Sequence, residues 1–214
     1  MNEGQQRICT EKTRDKYDEV FVQEKLDGAN MAVALKDGEI LALTRSGFLA
    51  SESPFLQHPL FAQWVKENEE RFRIVLREGQ RLCGEWLALA HGTLYDLPHE
   101  PFVAFDLIGV EERTIYDDFI ERLKGEFVVP RLLHRGGAFS VEEMLAVLEP
   151  SGHGARDGAE GAVWRVERYV TARKRKVVDF LAKYVRPGKE DGRYLPSEAH
   201  PEREPIWQWQ PSAH

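Results

Sequence analysis

Residues 19–30 read EVFVQEKLDGAN, and the segment EKLDGAN at 24–30 sets the question for the whole chain. The apolar run Val20-Phe21-Val22 is ending when Glu24-Lys25 appears, and Asp27-Gly28 follows two residues after the lysine. Glu19 to Lys25 reads as a strand that closes on a lysine just ahead of a turn. Such a lysine ordinarily points to solvent, and an isolated Lys-x-Asp-Gly match is most often chance. The alternative is chemical. An amine fixed at a strand end is rigidly placed to attack an electrophile, provided it loses its proton. Its ordinary pKa is ~10.4, so burial or nearby cations must lower it. Gly28 would let backbone approach a phosphate closely.

Working outward, Met31–Lys36, Asp37-Gly38 and Glu39–Thr44 read as a β-hairpin, because Asp-Gly between two such runs is a strong turn signal. Pro59–Glu70 places Leu60, Phe61, Trp64 and Val65 on one helical face. Arg81–Ala88 and Pro101–Gly109 read as strands, Thr114–Lys124 as a helix and Phe127–Leu133 as a strand. Ser140-Val141-Glu142-Glu143 is a capping box ahead of MLAVLE. Gly161–Arg168 and Val178–Arg186 are β-rich. These elements do not alternate as regular βαβ units, so the pattern predicts an α+β fold with antiparallel sheets flanked by helices. Five of the eleven prolines fall between Pro187 and Pro211, which predicts an extended tail over residues 188–214. Trp207 and Trp209 are expected to dock on the body; a base-stacking platform is the other use of such a pair.

Composition narrows the function. The chain has 214 residues, enough for one good core, and its 42% hydrophobic and 30% charged residues are ordinary for a soluble domain. A net charge of −7 argues against a generic nucleic-acid coat, so any such contact needs a local patch, and Arg173-Lys174-Arg175-Lys176 is the densest candidate. Cys9 and Cys83 form no CxxC pair and the seven histidines have no metal-ligand spacing. There is no membrane-length apolar run and no signal-peptide core, which predicts a cytoplasmic protein without membrane contact.

Companions to Lys25 appear in order: Thr44-Arg45-Ser46-Gly47, Gly84-Glu85-Trp86, Phe102-Val103-Ala104-Phe105-Asp106, Glu160-Gly161-Ala162-Val163 and Ala182-Lys183-Tyr184-Val185. Each is weak alone; together and in this order they are specific. The sequence resembles the covalent nucleotidyltransferase superfamily of ATP-dependent ligases and capping enzymes. Within it the resemblance is closest to ATP-dependent RNA ligases of the RNA ligase 2 type. Those show Glu-Lys-x-x-Gly-x-Asn at the nucleophile, matched by Glu24, Lys25, Gly28 and Asn30, and the run GEWLALAHGTLYDLP leading into FVAFD is also similar. The resemblance spans about residues 20–187.

The resemblance implies a nucleotidyltransferase fold, an ATP-grasp-like ligase adenylation domain over residues 1–187, and a three-step reaction. Lys25 takes AMP from ATP and expels pyrophosphate, AMP passes to an RNA 5′-phosphate, and a 3′-hydroxyl then attacks and releases AMP. It further implies Lys183 as a second catalytic cation that steadies the α-phosphate. Arg45 would contact phosphate or ribose, Phe105 would stack on adenine, and the backbone of Glu24 would read adenine. Asn30 would serve after adenylation. Asp27, Glu85 and Glu160 would hold hydrated Mg2+ or Mn2+, with Glu85 alternatively on ribose, and Asp106 would bind ribose or metal. Each has a plainer reading as well: turn, strand or core residues and surface ion pairs.

Two departures stand out. The last motif commonly carries two lysines one residue apart; here Val185 stands in the second place, leaving Arg186 or the Arg173–Lys176 run as substitutes. The tail after residue 187 is expected to leave no separate OB domain. Gln23 stands where DNA ligases more often carry glutamate, which favours RNA. A DNA nick ligase, a GTP-using capping enzyme and a non-catalytic binder of nucleic-acid ends remain the competing readings.

Overall fold

In the computed structural model, which describes residues 3–190, 192–196 and 202–210, the chain builds two four-stranded antiparallel sheets. The first comprises β1 (Asp18–Lys25), β6 (Leu132–Gly136), β7 (Gly161–Val170) and β8 (Arg175–Val185), in the order β6-β1-β7-β8. The second comprises β2 (Ala29–Lys36), β3 (Glu39–Thr44), β4 (Arg81–Trp86) and β5 (Phe102–Ile108), in the order β3-β2-β4-β5. Five helices accompany them: α1 (Glu3–Thr10), α2 (Gln57–Glu67), α3 (Glu69–Val75), α4 (Tyr116–Leu123) and α5 (Val141–Leu148). The α+β class and the strand–hairpin–strand order follow the alternation in the sequence.

Strand parity explains how the sheets bury one face and offer the other. In β1, Val20 and Val22 join Ala162, Trp164, Val166 and Ala182 in a core under α1 and α5. Gln23 and Lys25 face the opposite way, as do Val163, Arg165, Leu181 and Lys183 on β7 and β8. The second sheet buries Met31, Val33, Leu82, Trp86, Phe102 and Ala104 against the helical residues Phe61, Trp64, Val65, Phe72 and Val75. Its aromatic rings pack edge to face: Trp64 and Phe72 lie at 5.9 Å and 86°, and Phe61 and Trp86 at 5.2 Å and 65°.

The turn between β2 and β3 holds Asp37 at φ 53° and Gly38 at φ 79°, the two positive values a two-residue hairpin needs. The capping box is present: the Ser140 hydroxyl accepts from the Glu143 N–H, and the Ser140 N–H donates to the Glu143 carboxylate at 2.8 Å.

Three expectations are corrected. The single helix read over Pro59–Glu70 is two, α2 and α3, broken at Asn68. That side chain donates to the Trp64 carbonyl at 2.8 Å, competing with the helical ladder, and the bend lets Phe72 and Val75 reach the same core as Phe61. The strand read over Phe127–Leu133 begins only at Leu132. Residues 127–131 instead cross between sheets: Val128 bridges Val103, Ala104 donates to the Val128 carbonyl at 2.8 Å, and Glu24 donates to the Arg131 carbonyl at 2.9 Å. Pro130, with no N–H to give, cannot continue a ladder there. The polar opening residues contain α1, whose one buried side chain, Cys9, is too little periodicity to reveal a helix.

Tail residues pack on the body. Gln208 donates through its backbone N–H to the Ala88 carbonyl at 2.8 Å, Trp207 bridges Leu89, and the Trp209 ring meets Trp86 at 5.6 Å. The remaining tail positions, 191, 197–201 and 211–214, lie outside the described residues, as do Met1 and Asn2.

Candidate active site

The two polar sheet faces enclose a cleft of about 1060 Å³. Lys25, Asp27, Asn30, Arg45, Glu85, Phe105, Glu160 and Lys183 all line it, and Glu24 borders it. Residues from six chain segments therefore converge on one space.

Lys25 ends β1 opposite Gly161 of β7, which in turn stands opposite Val185 of β8. Gly161 is required there: a Cβ would fall 2.0 Å from the Tyr184 carbonyl oxygen. The Lys25 ammonium donates to a Glu160 carboxylate oxygen and, at 3.2 Å, to the Leu26 carbonyl. Both partners are largely shielded, with side-chain exposures of 19% and 12%. The lysine therefore points into the cleft and not to bulk water. Glu160 is itself fixed through its backbone, whose carbonyl accepts from the Arg186 N–H at 2.9 Å.

The facing wall comes from the second sheet. Asn30 and Glu85 are cross-strand partners on β2 and β4. Glu85 accepts from the Gly28 N–H at 3.0 Å. Gly28 owes its place to the Trp86 carbonyl oxygen, 2.5 Å from where a Cβ would stand; the close approach is to protein backbone. Phe105 is the extra residue of a β-bulge, since Cys83 pairs with Asp106 and Gly84 with Ala104. A bulge re-aims a side chain, and here Phe105 lines the cleft, half-buried.

Carboxylates crowd the lysine. Burial pushes the Glu85 carboxyl up to about 7; Lys25 and the Gly28 N–H oppose this, while Glu160 and Asp27 add to it by repulsion. Asp27 is also raised, first by burial, against the stabilising Thr93 hydroxyl, His91, Lys25 and the Gly92 N–H at 2.9 Å. A desolvated carboxylate among like charges gains from a cation. Among the described residues no three His, Cys, Asp or Glu side chains form a ready-made metal cage. The donors present suit a hard cation that keeps water and shares substrate oxygens.

The remaining expected residues separate into those that reach the cleft and those that do not. Lys183 sits on the edge strand β8 opposite Val163, exposed and facing the cleft. Arg45 lies exposed at the mouth, after β3. Glu24 is on the other face of β1: its side chain accepts from the Ser151 hydroxyl and from the Gly152 N–H at 2.8 Å, so only its main chain borders the cleft. Asp106 also lines the cleft, but its carboxylate is already paired, with Arg113 on one oxygen and Arg165 on the other at 3.3 Å. Arg165 continues to Glu167 at 2.8 Å, making a buried charge network that ties β5 to β7. Neither proposed substitute for the second lysine enters the cleft. Arg186 pairs with Glu149 at 3.1 Å. The Arg173–Lys176 run forms the far turn of the β7–β8 hairpin, where Arg175 pairs with Glu112 and Lys176 with Glu19 at 2.5 Å.

Sequence reasoning missed several cleft residues: Gln57 and His58 at the start of α2, His91 after β4, and Lys189 after β8. Lys189 donates to the Gly158 carbonyl at 2.8 Å and pairs with Asp157 at 3.3 Å. Gln57, His58 and Lys189 belong to no motif, His91 lies unmarked within the run GEWLALAHGTLYDLP, and only the fold brings the four to the cleft of Lys25.

Two antiparallel sheets around a lysine-centred, acid-rich cleft define a nucleotidyltransferase-type fold. The family model described as RNA ligase matches residues 18–185, and the chain belongs to that family. An archaeal ATP-dependent RNA ligase shares the fold at a TM-score of 0.53 and 22% identity, over 78% of this chain and 42% of that one. A Naegleria gruberi RNA ligase mutant with ATP and Mn matches at a TM-score of 0.55 and 20% identity, over 79% of this chain and 49% of that one. The chain thus spans less than half the length of these structures. No curated protein sequence matches it.

Proposed function

We propose that this chain is an ATP-dependent RNA ligase that works through a lysyl-AMP intermediate on Lys25 and joins 5′-phosphate to 3′-hydroxyl RNA ends. The observation that carries the reading is the placement of the Lys25 amine inside the cleft, against Glu160, in a chain of the RNA ligase family. The amine attacks the α-phosphorus of ATP; a P–N bond forms and the bond to pyrophosphate breaks. The Lys25 amine is held by the Glu160 carboxylate, so it is free to attack only when that carboxylate is otherwise engaged. Lys183 and Arg45 supply positive charge to the phosphates. Phe105 offers a flat apolar face to adenine, and Asn30 stands beside Glu85 for the steps after adenylation. A divalent cation, Mg2+ or Mn2+, would be held by oxygens of Asp27, Glu85 and Glu160 with phosphate and water, and would neutralise charge on the phosphates.

The fold supports residues 1–187 as the adenylation domain, with the later residues as a packed tail. The test is mass spectrometry after incubation with ATP and magnesium. An AMP increment on a peptide containing Lys25 is expected; a GMP increment from GTP, or none from either nucleotide, overturns the reading. Sealing of RNA against DNA nicks then fixes the polynucleotide.

A further inference from the structure

Lys189 lies in the cleft wall with its side chain 11% exposed. An ammonium withdrawn from water needs oxygen partners, and here they come from two different loops. Its Nζ donates to the Gly158 carbonyl at 2.8 Å and to the Asp157 carbonyl at 3.2 Å, and it pairs with the Asp157 carboxylate at 3.3 Å. The same atom reaches the Thr93 hydroxyl oxygen at 3.5 Å.

Each loop holds one of the carboxylates beside Lys25. Gly158 stands two residues before Glu160, which accepts from the Lys25 ammonium. Thr93 is fully buried, and its hydroxyl bonds to Asp27, whose carboxylate also accepts from the Gly92 N–H at 2.9 Å. The chain around Lys189 is seated on the same two loops. Arg186 donates its N–H to the Glu160 carbonyl at 2.9 Å, and Tyr194 donates its own to the His91 carbonyl at 2.7 Å. An apolar side chain at 189 could fill the space. It could not hold a carbonyl on one side and a hydroxyl oxygen on the other. With that oxygen facing Lys189, the Thr93 hydrogen is left for Asp27.

We propose that Lys189 is a positioning residue for lysyl-AMP formation: its ammonium ties the loop that carries Glu160 to the loop that holds Asp27, and so fixes the two carboxylates relative to Lys25. The proposal rests on the ligase reading for the reaction it serves. Losing a group that orients such carboxylates typically costs about 10–100-fold in activity.

The test has two readouts on the full chain. The first is single-turnover labelling over a range of ATP concentrations with magnesium. Lys189→Met is expected to lower the maximal rate about tenfold and leave half-saturating ATP within twofold, and Lys189→Arg to restore most of the rate. Thr93→Val cuts only the link to Asp27 and should give the same pattern. The double variant should be no slower than the slower single one, because both act through one relay. Should Lys189→Met fail to fold, Thr93→Val alone carries this readout. The second is hydrogen exchange without nucleotide: Lys189→Met, or Thr93→Val in its place, should speed exchange in peptides covering residues 91–95 and 157–160 together. A raised half-saturating ATP at unchanged maximal rate, which would put the ammonium on the phosphates, overturns the proposal. So do losses that multiply in the double variant, or exchange that changes in one loop or neither. A chain that forms no lysyl-AMP overturns the ligase reading, and exchange then decides the bridge by itself.

Discussion

Glu24 and Lys25 are neighbours in the chain and face opposite sides of one sheet. Lys25 enters the cleft and meets Glu160, while Glu24 turns under the sheet to hold Ser151 and Gly152. The pleat of β1 thus puts the cleft-facing amine on one face and an anchor on the other. Replacing Lys25 should remove the chemistry and spare the anchor. Lys25→Met is expected to abolish AMP transfer to protein, read by mass, while thermal unfolding stays cooperative.

Charge in the cleft depends on Lys183 and not on Arg186. Lys183→Met is expected to slow lysyl-AMP formation by about 100-fold or more, a typical cost for losing one preorganised charge contact in a transition state. Arg186→Ala should stay within a few-fold, because its guanidinium faces Glu149 outside the cleft. Single-turnover labelling with radioactive ATP measures both; equal losses would mean that Arg186 reaches the phosphates after all.

The anchor beneath Glu24 gives a pH dependence. His153 is buried, its Nδ1 lies 2.8 Å from His99, and its Nε2 accepts from the Arg131 N–H at 3.2 Å. Burial, then repulsion from His99 and Arg131, lowers its pKa from 6.5 to about 4. Its neutral form therefore contributes stability that is complete above the unfolded value of 6.5 and is lost as pH falls toward about 4. The loss is on the order of 3 kcal/mol. Urea unfolding between these limits should show a slope that His153→Phe reduces.

Asp106 distinguishes a structural carboxylate from a ligand-binding one. Asp106→Asn would leave Arg165 short of a partner in a buried network, at a cost of about 3–5 kcal/mol. Chemical denaturation should reveal that loss, while ATP affinity of the folded fraction stays unchanged. A selective loss of ATP affinity would return Asp106 to the ribose or metal role.

Gly161 keeps the strand of Lys25 in register. Gly161→Ala puts a methyl on the Tyr184 carbonyl, so β8 must move away from β7 beside Lys25. A loss of about 2–4 kcal/mol in unfolding is expected, with a larger proportional loss of labelling than of ATP binding.

The sequence by itself determined the strand that carries Lys25, the Asp-Gly hairpin, the capping box and the order of the motifs, because these are local: alternation, turn chemistry and capping need only near neighbours. Where local patterns were interrupted, tertiary structure decided. Asn68 broke a helix that periodicity would continue, and Phe105 reached the cleft wall through a bulge that no residue type announces. Tertiary structure also decided which charges are available. Asp106, Arg186 and the Arg173–Lys176 run look like site residues in one dimension, and each is paired elsewhere in three. Gln57 carries no motif, and the long-range packing of α2 against the second sheet brings it to Lys25's cleft beside His91. Partners far apart in the chain leave no spacing to read, and burial sets which polar atoms stay unpaired.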